Sequence, residues 1–410
     1  MNPPRPNRSD RFGLYLHIPF CLAKCPYCDF TSFPLDEIGP DLRTRILRAL
    51  ERELEIALEA HPRLRGRRLD SIYFGGGTPS LLAAGEVARF ITKAREAFSL
   101  SDATEVTLEC NPTSAEAGRL EECHRAGVTR ISLGVQSFDD DVLKALGRRH
   151  TSDDARSAIE KVKTCGFDSW GLDLIFGAPE RIGRTPRESG SDPGARGDAG
   201  ALRRWRTTLQ ETIRHAPPHV SVYGLTLHEG TPMHALRARG EIVLPAEETQ
   251  RRMFLTARKF LTSAGWRHYE ISNYARPGHE SRHNTLYWTG GEYLGLGVAA
   301  HSYFGNTRCA NPSDLARYLA QVEAGRCPGT VEEPPSEPSR RGETIMLALR
   351  QCEGVDPAEL SRRIECDFAV EYAREIDRLR ATGLLLVSRD NVRLTEDGLL
   401  LSDTVFEEFF

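Results

Sequence analysis

Cys21, Cys25 and Cys28 lie in the segment His17-Ile-Pro-Phe-Cys-Leu-Ala-Lys-Cys-Pro-Tyr-Cys-Asp-Phe30, straight after the apolar run Leu14 to Ile18. Thiolates are soft ligands, suited to iron and zinc. Three of them cannot complete the four-thiolate shell of an ordinary iron–sulfur cluster. Their spacing also departs from the paired CxxC arrangement of structural zinc sites. Bound to a four-iron cubane, three thiolates would leave one iron open, and an open metal position is where chemistry happens. The bland alternative is three unrelated core cysteines. It requires this spacing to arise by chance among 10 cysteines in 410 residues. The other seven (Cys110, Cys123, Cys165, Cys309, Cys327, Cys352 and Cys366) are scattered and read as core filler.

Two further segments could carry chemistry. Gly75-Gly-Gly-Thr-Pro-Ser80 would let backbone approach a ligand closely and expose its amide and carbonyl groups. Alone it is weak, because Gly-rich turns follow many strands. His283-Asn-Thr-Leu-Tyr-Trp288 follows Tyr269-Glu-Ile-Ser-Asn-Tyr-Ala275 and Pro277-Gly-His279. A neutral imidazole is a usual axial ligand of haem iron, and neighbouring aromatic rings can pack a porphyrin face. Taken alone, such a histidine is more often a hydrogen-bonded structural group.

These residues need elements to position them. From Leu14 onward, short apolar strands alternate with helical segments. Strands are expected at Leu14–Ile18, Asp70–Phe74, Glu105–Leu108, Arg130–Gly134, Gly171–Phe176 and Val220–Leu225. The helical patterns between and after them run over Asp41–Leu58, Ala83–Phe98, Ala115–Ala126, Asp153–Cys165, Ala201–Arg214 and Glu247–Ala264. Such alternation predicts a parallel sheet with right-handed crossovers. The fold class is therefore α/β, with six units forming an open, partial (β/α)6 barrel. Ligands of such folds lie at the carboxyl ends of the strands. The cysteine loop follows the first strand and falls at that mouth.

The domain reading places a disordered tail at 1–10 and the barrel, including the histidine motif, at 11–326. A linker follows at 327–338 and a small domain at 339–410. Residues 180–200, rich in Gly, Arg, Ser and Pro, read as a flexible insertion. Beyond the Pro-rich linker come helical patterns at Arg341–Arg350, Pro357–Ile364 and Ala369–Thr382. Two short strands then flank Arg389-Asp390-Asn391, which is the pattern of a winged-helix-like α+β domain. It has no dense basic face, so packing or partner docking is expected of it rather than DNA binding.

Bulk composition is that of an ordinary globular protein, 40% hydrophobic and 27% charged. A net charge of −4 gives no basic field for nucleic acid or anionic membrane. No apolar run approaches a membrane span, and Met1 to Arg8 lacks the apolar core of a secretory signal. Unpaired cysteines without export point to the cytoplasm.

The cysteine triad followed by the glycine turn resembles the radical S-adenosylmethionine superfamily. The match narrows with Tyr15-Leu-His-Ile-Pro-Phe-Cys21, Leu108-Glu-Cys-Asn-Pro112, Ser132-Leu-Gly-Val-Gln-Ser-Phe138 and Gly171-Leu-Asp-Leu-Ile-Phe-Gly177. These are similar to the oxygen-independent coproporphyrinogen oxidase family over nearly the whole chain, the last domain included. The resemblance implies a 4Fe–4S cluster on Cys21, Cys25 and Cys28, with S-adenosyl-L-methionine chelating the fourth iron. It implies that Tyr15, Gly76 and Glu109 contact that cofactor and that Tyr27 lines its adenine pocket. Gly77, Thr78, Gln136, Arg148 and Asp173 surround the rest of the cavity. Asp173 inside an apolar strand is hard to explain as structure, because a buried carboxylate without a partner is costly. Arg148 could instead be a solvated charge.

Two departures separate the chain from the oxidase branch. The oxidases carry a fourth cysteine two residues after the triad, where this chain has Phe30, and their extension before the first strand is longer. Both point to the sister branch, the HemW-type haem chaperones. In that branch His283, Asn284, Tyr287 and Trp288 match the haem-binding motif. His301, in Gly295-Leu-Gly-Val-Ala-Ala-His-Ser302, is a weaker second candidate. The resemblance therefore implies a haem chaperone with cluster and S-adenosyl-L-methionine. Its partners would be haem and a haem-accepting apoprotein such as one of a respiratory complex; a homodimer stays open. The second expectation is an active coproporphyrinogen III oxidase. The third, a DNA-binding regulator, rests on the last domain alone.

Overall fold

A computed structural model of the chain describes residues 11–179 and 193–410. The expected tail at 1–10 and residues 180–192 of the expected insertion lie outside the described residues. Strand β1 (Phe12–Ile18) leads into the cysteine loop, whose two ends are tied by a short parallel pair, β2 (Phe20–Cys21) with β3 (Phe33–Pro34). There follow α1 (Leu35–Ala60), β4 (Ser71–Gly76), α2 (Ala84–Ala97), β5 (Glu105–Cys110), α3 (Ala117–Ala126) and β6 (Arg130–Gln136). Then come α4 (Asp140–Ala145), α5 (Ser152–Thr164), β7 (Ser169–Phe176), α6 (Pro193–His215) and β8 (His219–Gly224). The six long strands lie in the order β1-β4-β5-β6-β7-β8 and every pair is parallel. This is the partial α/β barrel expected from the alternation.

The reason is visible in the side-chain period. Ile72 and Phe74, Val106 and Leu108, Ile131, Leu133 and Val135, Leu172 and Leu174, Val220 and Val222 are all buried. They share one face of the sheet because successive side chains point to opposite faces. Helices cover that face with their own apolar stripes, such as Val87, Phe90, Ile91 and Ala94 of α2. Helix α6 begins at Pro193, so residues 193–200, expected in the flexible insertion, are helical. Gly, Arg and Asp interrupt the apolar period there, which hid the first turns of the helix from the sequence pattern.

The sheet does not stop at six strands. The chain continues through α7 (Pro232–Ala238), α8 (Glu247–Ser263), β9 (Arg267–Glu270), β10 (Asn273–Ala275) and α9 (Arg282–Trp288). After these come β11 (Glu292–Leu296), β12 (His301–Phe304), β13 (Thr307–Ala310), α10 (Leu315–Glu323) and β14 (Thr330–Val331). Strands β10 and β9 extend one edge from β8, while β11 joins β1 in parallel and carries β12, β13 and β14 antiparallel, making 12 strands. Each of these strands has five residues or fewer, so they left no period to read. Strand β14 lies within the expected linker at 327–338 and belongs to the main sheet.

Between β10 on one edge and β11 on the other, the chain must cross the barrel. It does so along the amino ends of the strands. Glu105, the first residue of β5, accepts from the amides of Arg282 and His283, and Arg130, the first residue of β6, donates to the His279 carbonyl. Helix α9 is therefore the floor of the barrel, and the cysteine loop is at its mouth.

The remaining residues form α11 (Glu337–Leu349), α12 (Pro357–Ile364), α13 (Phe368–Glu371), α14 (Ala373–Ala381), the hairpin β15 (Leu385–Val387) with β16 (Val392–Leu394), α15 (Glu396–Leu400) and α16 (Ser402–Glu407). They surround a separate apolar cluster that includes Leu349, Leu360, Phe368, Leu379 and Phe409. Phe254 of α8 packs into the same cluster and docks this unit on the barrel.

Candidate functional site

The inner face of the sheet is polar. Thr107 and Glu109 on β5, Arg130, Ser132, Gly134 and Gln136 on β6, Asp173 and Ile175 on β7, and His219, Ser221 and Tyr223 on β8 all line one cavity of about 420 Å³. Within each strand these residues alternate with the apolar ones that face the helices. A closed barrel fills its interior with branched apolar side chains. This open one keeps a lumen lined by titratable and hydrogen-bonding groups, and such a concavity is suited to a small molecule.

At the mouth, Cys21, Cys25 and Cys28 line the same cavity as free thiols. The Cys28 amide donates to the Cys25 carbonyl at 3.0 Å, and the Met233 amide holds the Pro26 carbonyl at 2.8 Å. At the base of the loop, His17 Nε2 lies 2.7 Å from the Thr31 carbonyl. Burial raises the thiols of Cys21 and Cys28, and the neighbouring thiolates add to it. Crowding three thiolates together is therefore unfavourable unless a metal takes their charge. Among the described residues no group of three His, Cys, Asp or Glu side chains is arranged to hold a single metal ion. A cubane asks for something else, one thiolate on each of three iron corners. The donor set, on one loop over one cavity, fits that group.

The glycine turn ends β4 beside this loop. The Gly77 amide donates to the Ile18 carbonyl at 2.9 Å and the Thr78 amide to the Phe20 carbonyl at 2.6 Å. A Cβ on Gly77 would sit 2.4 Å from the Phe20 oxygen, so only glycine allows this approach. Gly76, at φ 107°, turns its amide toward Glu109 and favours the ionised carboxylate. The amides of residues 77 and 78 are thus committed within the protein and not, as their exposure in a turn would suggest, free for a ligand.

Glu109 and Asp173 are the carboxylates that the strands themselves place in the lumen. Burial pushes Glu109 up to about 7, opposed by the Tyr73 hydroxyl, which donates at 2.7 Å, and assisted by the charge of Asp173. Burial also raises Asp173, against hydroxyl bonds from Ser221 and Ser132 and the positive charges of Arg130 and Arg148. Arg148 is no solvated charge. It donates to Asn111 Oδ1 at 2.8 Å and the Gly134 carbonyl at 2.9 Å, with its other nitrogen 3.7 Å from Cys25 Sγ. Tyr27 is buried beside this guanidinium, whose charge opposes the rise that burial imposes on the phenol. Gln136 holds φ 66° where β6 loses register with β7, a left-handed conformation that favours glycine. Its side chain is turned into the cavity there.

The structure thus brings Cys21, Cys25, Cys28, Tyr27, Gly76, Gly77, Thr78, Glu109, Gln136, Arg148, Asp173 and Asn284 around one space. Tyr15 does not line it. Its ring stacks 6.2 Å from Tyr73, and its hydroxyl is 3.1 Å from His17 Nδ1. His283, Tyr287 and Trp288 do not line it either. His283 Nδ1 is 2.8 Å from Ser71 Oγ and Nε2 is 2.8 Å from the Tyr287 hydroxyl, and burial lowers the ring to about 3. Neither nitrogen is open to an iron in this arrangement, so the residue does not fit an axial ligand here. Trp288 lies under the Arg350 guanidinium, 4.3 Å from its ring centre, at the seam with the C-terminal unit. His301 is exposed and pairs with Glu332 at 3.6 Å, away from the cavity. Sequence reasoning missed Tyr73, Asn111, Arg130, Ser132, Ser221 and Tyr223 in the lining. Polar residues at every second position of otherwise apolar strands were the available signal.

The family profile of the radical SAM superfamily matches residues 15–184, and that of the HemN C-terminal domain matches residues 336–401. The chain is 32% identical to heme chaperone HemW of Lactococcus lactis subsp. lactis over 96% of each chain. It is 34% identical to heme chaperone HemW of Mycobacterium tuberculosis, covering 96% of this chain and 93% of that one. In three dimensions it matches coproporphyrinogen III oxidase (HemN) from Escherichia coli with a TM-score of 0.78 at 22% identity, over 98% of this chain and 91% of that one.

Proposed function

Because the chain belongs to the HemW family of the radical SAM superfamily, we propose that it is a haem chaperone, binding haem and passing it to an acceptor protein. The observation that carries this reading over the oxidase is Phe30. It stands 60% exposed at the rim of the cavity, where the resemblance gives the oxidases a fourth thiol. Cys21, Cys25 and Cys28 would hold a 4Fe–4S cluster. Tyr27, Gly76, Gly77, Thr78, Glu109, Gln136, Arg148 and Asp173 would surround an exchangeable S-adenosyl-L-methionine. When bound, the cluster supplies single electrons and an open iron position for that cofactor's amino and carboxylate groups.

The chain's own groups have definable tasks. Glu109, pushed up to about 7 by burial, accepts from the Tyr73 hydroxyl and keeps acceptor capacity toward the cavity. Arg148 ties the cysteine loop to β5 and β6 and sets positive charge beside Cys25. Asp173 is oriented by the Ser132 hydroxyl, 3.0 Å from both carboxylate oxygens, and accepts hydroxyl or amine donors. His283, Asn284, Tyr287 and Trp288 are the haem region by resemblance, yet only Asn284 reaches the cavity. Ligation of haem iron is therefore not routed through His283. A cytoplasmic setting goes with this reading; among the described residues no helix is long and apolar enough to cross a membrane.

The second reading is an oxidase that decarboxylates the propionates of coproporphyrinogen III. The size and polarity of the lumen favour it. One anaerobically reconstituted sample separates the two. Haem titration should saturate while incubation with coproporphyrinogen, reductant and S-adenosyl-L-methionine yields no protoporphyrinogen. Protoporphyrinogen formation would overturn the chaperone reading in favour of the oxidase.

A further inference from the structure

We infer that His283 is a positioning residue of the cofactor cavity, acting through Tyr73 on Glu109, and not an axial ligand of haem. The inference rests on the cofactor site proposed above. The motif sits at the floor of the barrel, while the cysteine loop sits at the mouth. From that floor a column of rings rises toward the site. His283 stacks on Tyr73 with centroids 4.9 Å apart and planes at 27°, and Tyr15 flanks both at 6.3 and 6.2 Å. The Tyr73 hydroxyl then donates to Glu109 at 2.7 Å, and Glu109 faces the Gly76 amide of the glycine turn across the cofactor cavity that both line.

The imidazole has no freedom to do otherwise. Ser71 and Tyr287 each occupy one nitrogen at 2.8 Å. A Cβ built on Gly13 would already stand 3.3 Å from the ring, so β1 closes that side at glycine distance. Tyr287 meets the ring edge-on, centroids 4.9 Å apart. An iron reaching Nε2 would have to displace a buried tyrosine hydroxyl, and one reaching Nδ1 a buried serine. Removing the imidazole, by contrast, opens a void against Tyr73. The tyrosine can then move, and its hydrogen bond to Glu109 moves with it.

The test uses the full reconstituted holoprotein. S-adenosyl-L-methionine affinity is measured by calorimetry, and the paramagnetic spectrum of the reduced cluster is recorded with and without S-adenosyl-L-methionine. The variants are His283→Ala, Tyr73→Phe and their combination, with haem stoichiometry measured on each. In the wild type the cofactor should change the spectrum. His283→Ala should weaken cofactor binding about tenfold and shrink the spectral change, while haem stoichiometry stays at the wild-type value. Tyr73→Phe should act similarly, and the double variant should be no worse than the weaker-binding single one, because both changes break the same chain of contacts. If His283→Ala does not fold, His283→Asn keeps a hydrogen-bonding group toward Ser71 and is held to the same expectation. Unchanged cofactor affinity, additive losses, or loss of haem at unchanged cofactor affinity would each overturn the assignment. If even the wild type shows no response to S-adenosyl-L-methionine, the proposed cofactor site falls first and this inference with it.

Discussion

Glu53 shows what single residues contribute outside the lumen. It belongs to α1 and is buried, and it accepts from the Gly297 amide at 2.7 Å, the Tyr318 hydroxyl at 2.6 Å and the Asn311 amide at 2.6 Å. These bonds pin the turn after β11 against α1. Burial still dominates and pushes the carboxyl up to about 7 from an ordinary 4.5. The folded chain therefore keeps a proton that the unfolded chain releases first. The stability associated with this group is complete below about pH 4.5, and it declines as pH rises toward about 7. Glu109 shares the direction and adds to the same window. Glu53→Gln should flatten part of this decline, by up to about 3 kcal/mol. Urea unfolding at about pH 5 and again above neutrality would check it. An unchanged slope would mean that Glu53 is ionised in the folded chain.

At the scale of elements, the cysteine loop and the glycine turn behave as one unit. They are joined by the Gly77 and Thr78 amides and by the absence of a Cβ at Gly77. Gly147 makes a second such contact, since a Cβ there would fall 2.4 Å from Pro26 Cδ. Gly77→Ala should push the turn off Phe20, costing about 1–3 kcal/mol as other forced overpacking does. It should also lower the iron retained per chain after reconstitution. Melting temperature and iron content measured together test this; full iron content at an unchanged melting temperature would show that the turn yields freely. The six inner strands and most of their helices were legible in the sequence because apolar residues recur there with clean periods. The edge strands β9 to β14 were not, because each has five residues or fewer and takes its conformation from the neighbour it pairs with.

Across the whole molecule, the barrel floor and the C-terminal unit meet at Arg350. This residue caps α11, stacks over Trp288 and pairs at 3.6 Å with Glu270, which is 1% exposed on β9. Arg350→Ala leaves that carboxylate buried without its cation and should cost about 3 kcal/mol. Glu270→Gln in the same background should recover much of the loss, because the charge goes with it. Denaturant unfolding of the single and double variants reads this directly; equal losses in both would assign the effect to packing on Trp288 instead. By itself, the sequence determined the spacing of Cys21, Cys25 and Cys28, the strand–helix alternation and the family. Those are local spacings and periods, written within a few tens of residues. The tertiary structure decided where the histidine motif goes. Ser71 and His283 are 212 positions apart and Arg282 reaches back to Glu105. Only the pairing of β10 and β11 on opposite edges carries α9 beneath the barrel. A motif read as haem-binding thereby lies at the amino ends of the strands, at the far end of the sheet from the cysteine loop.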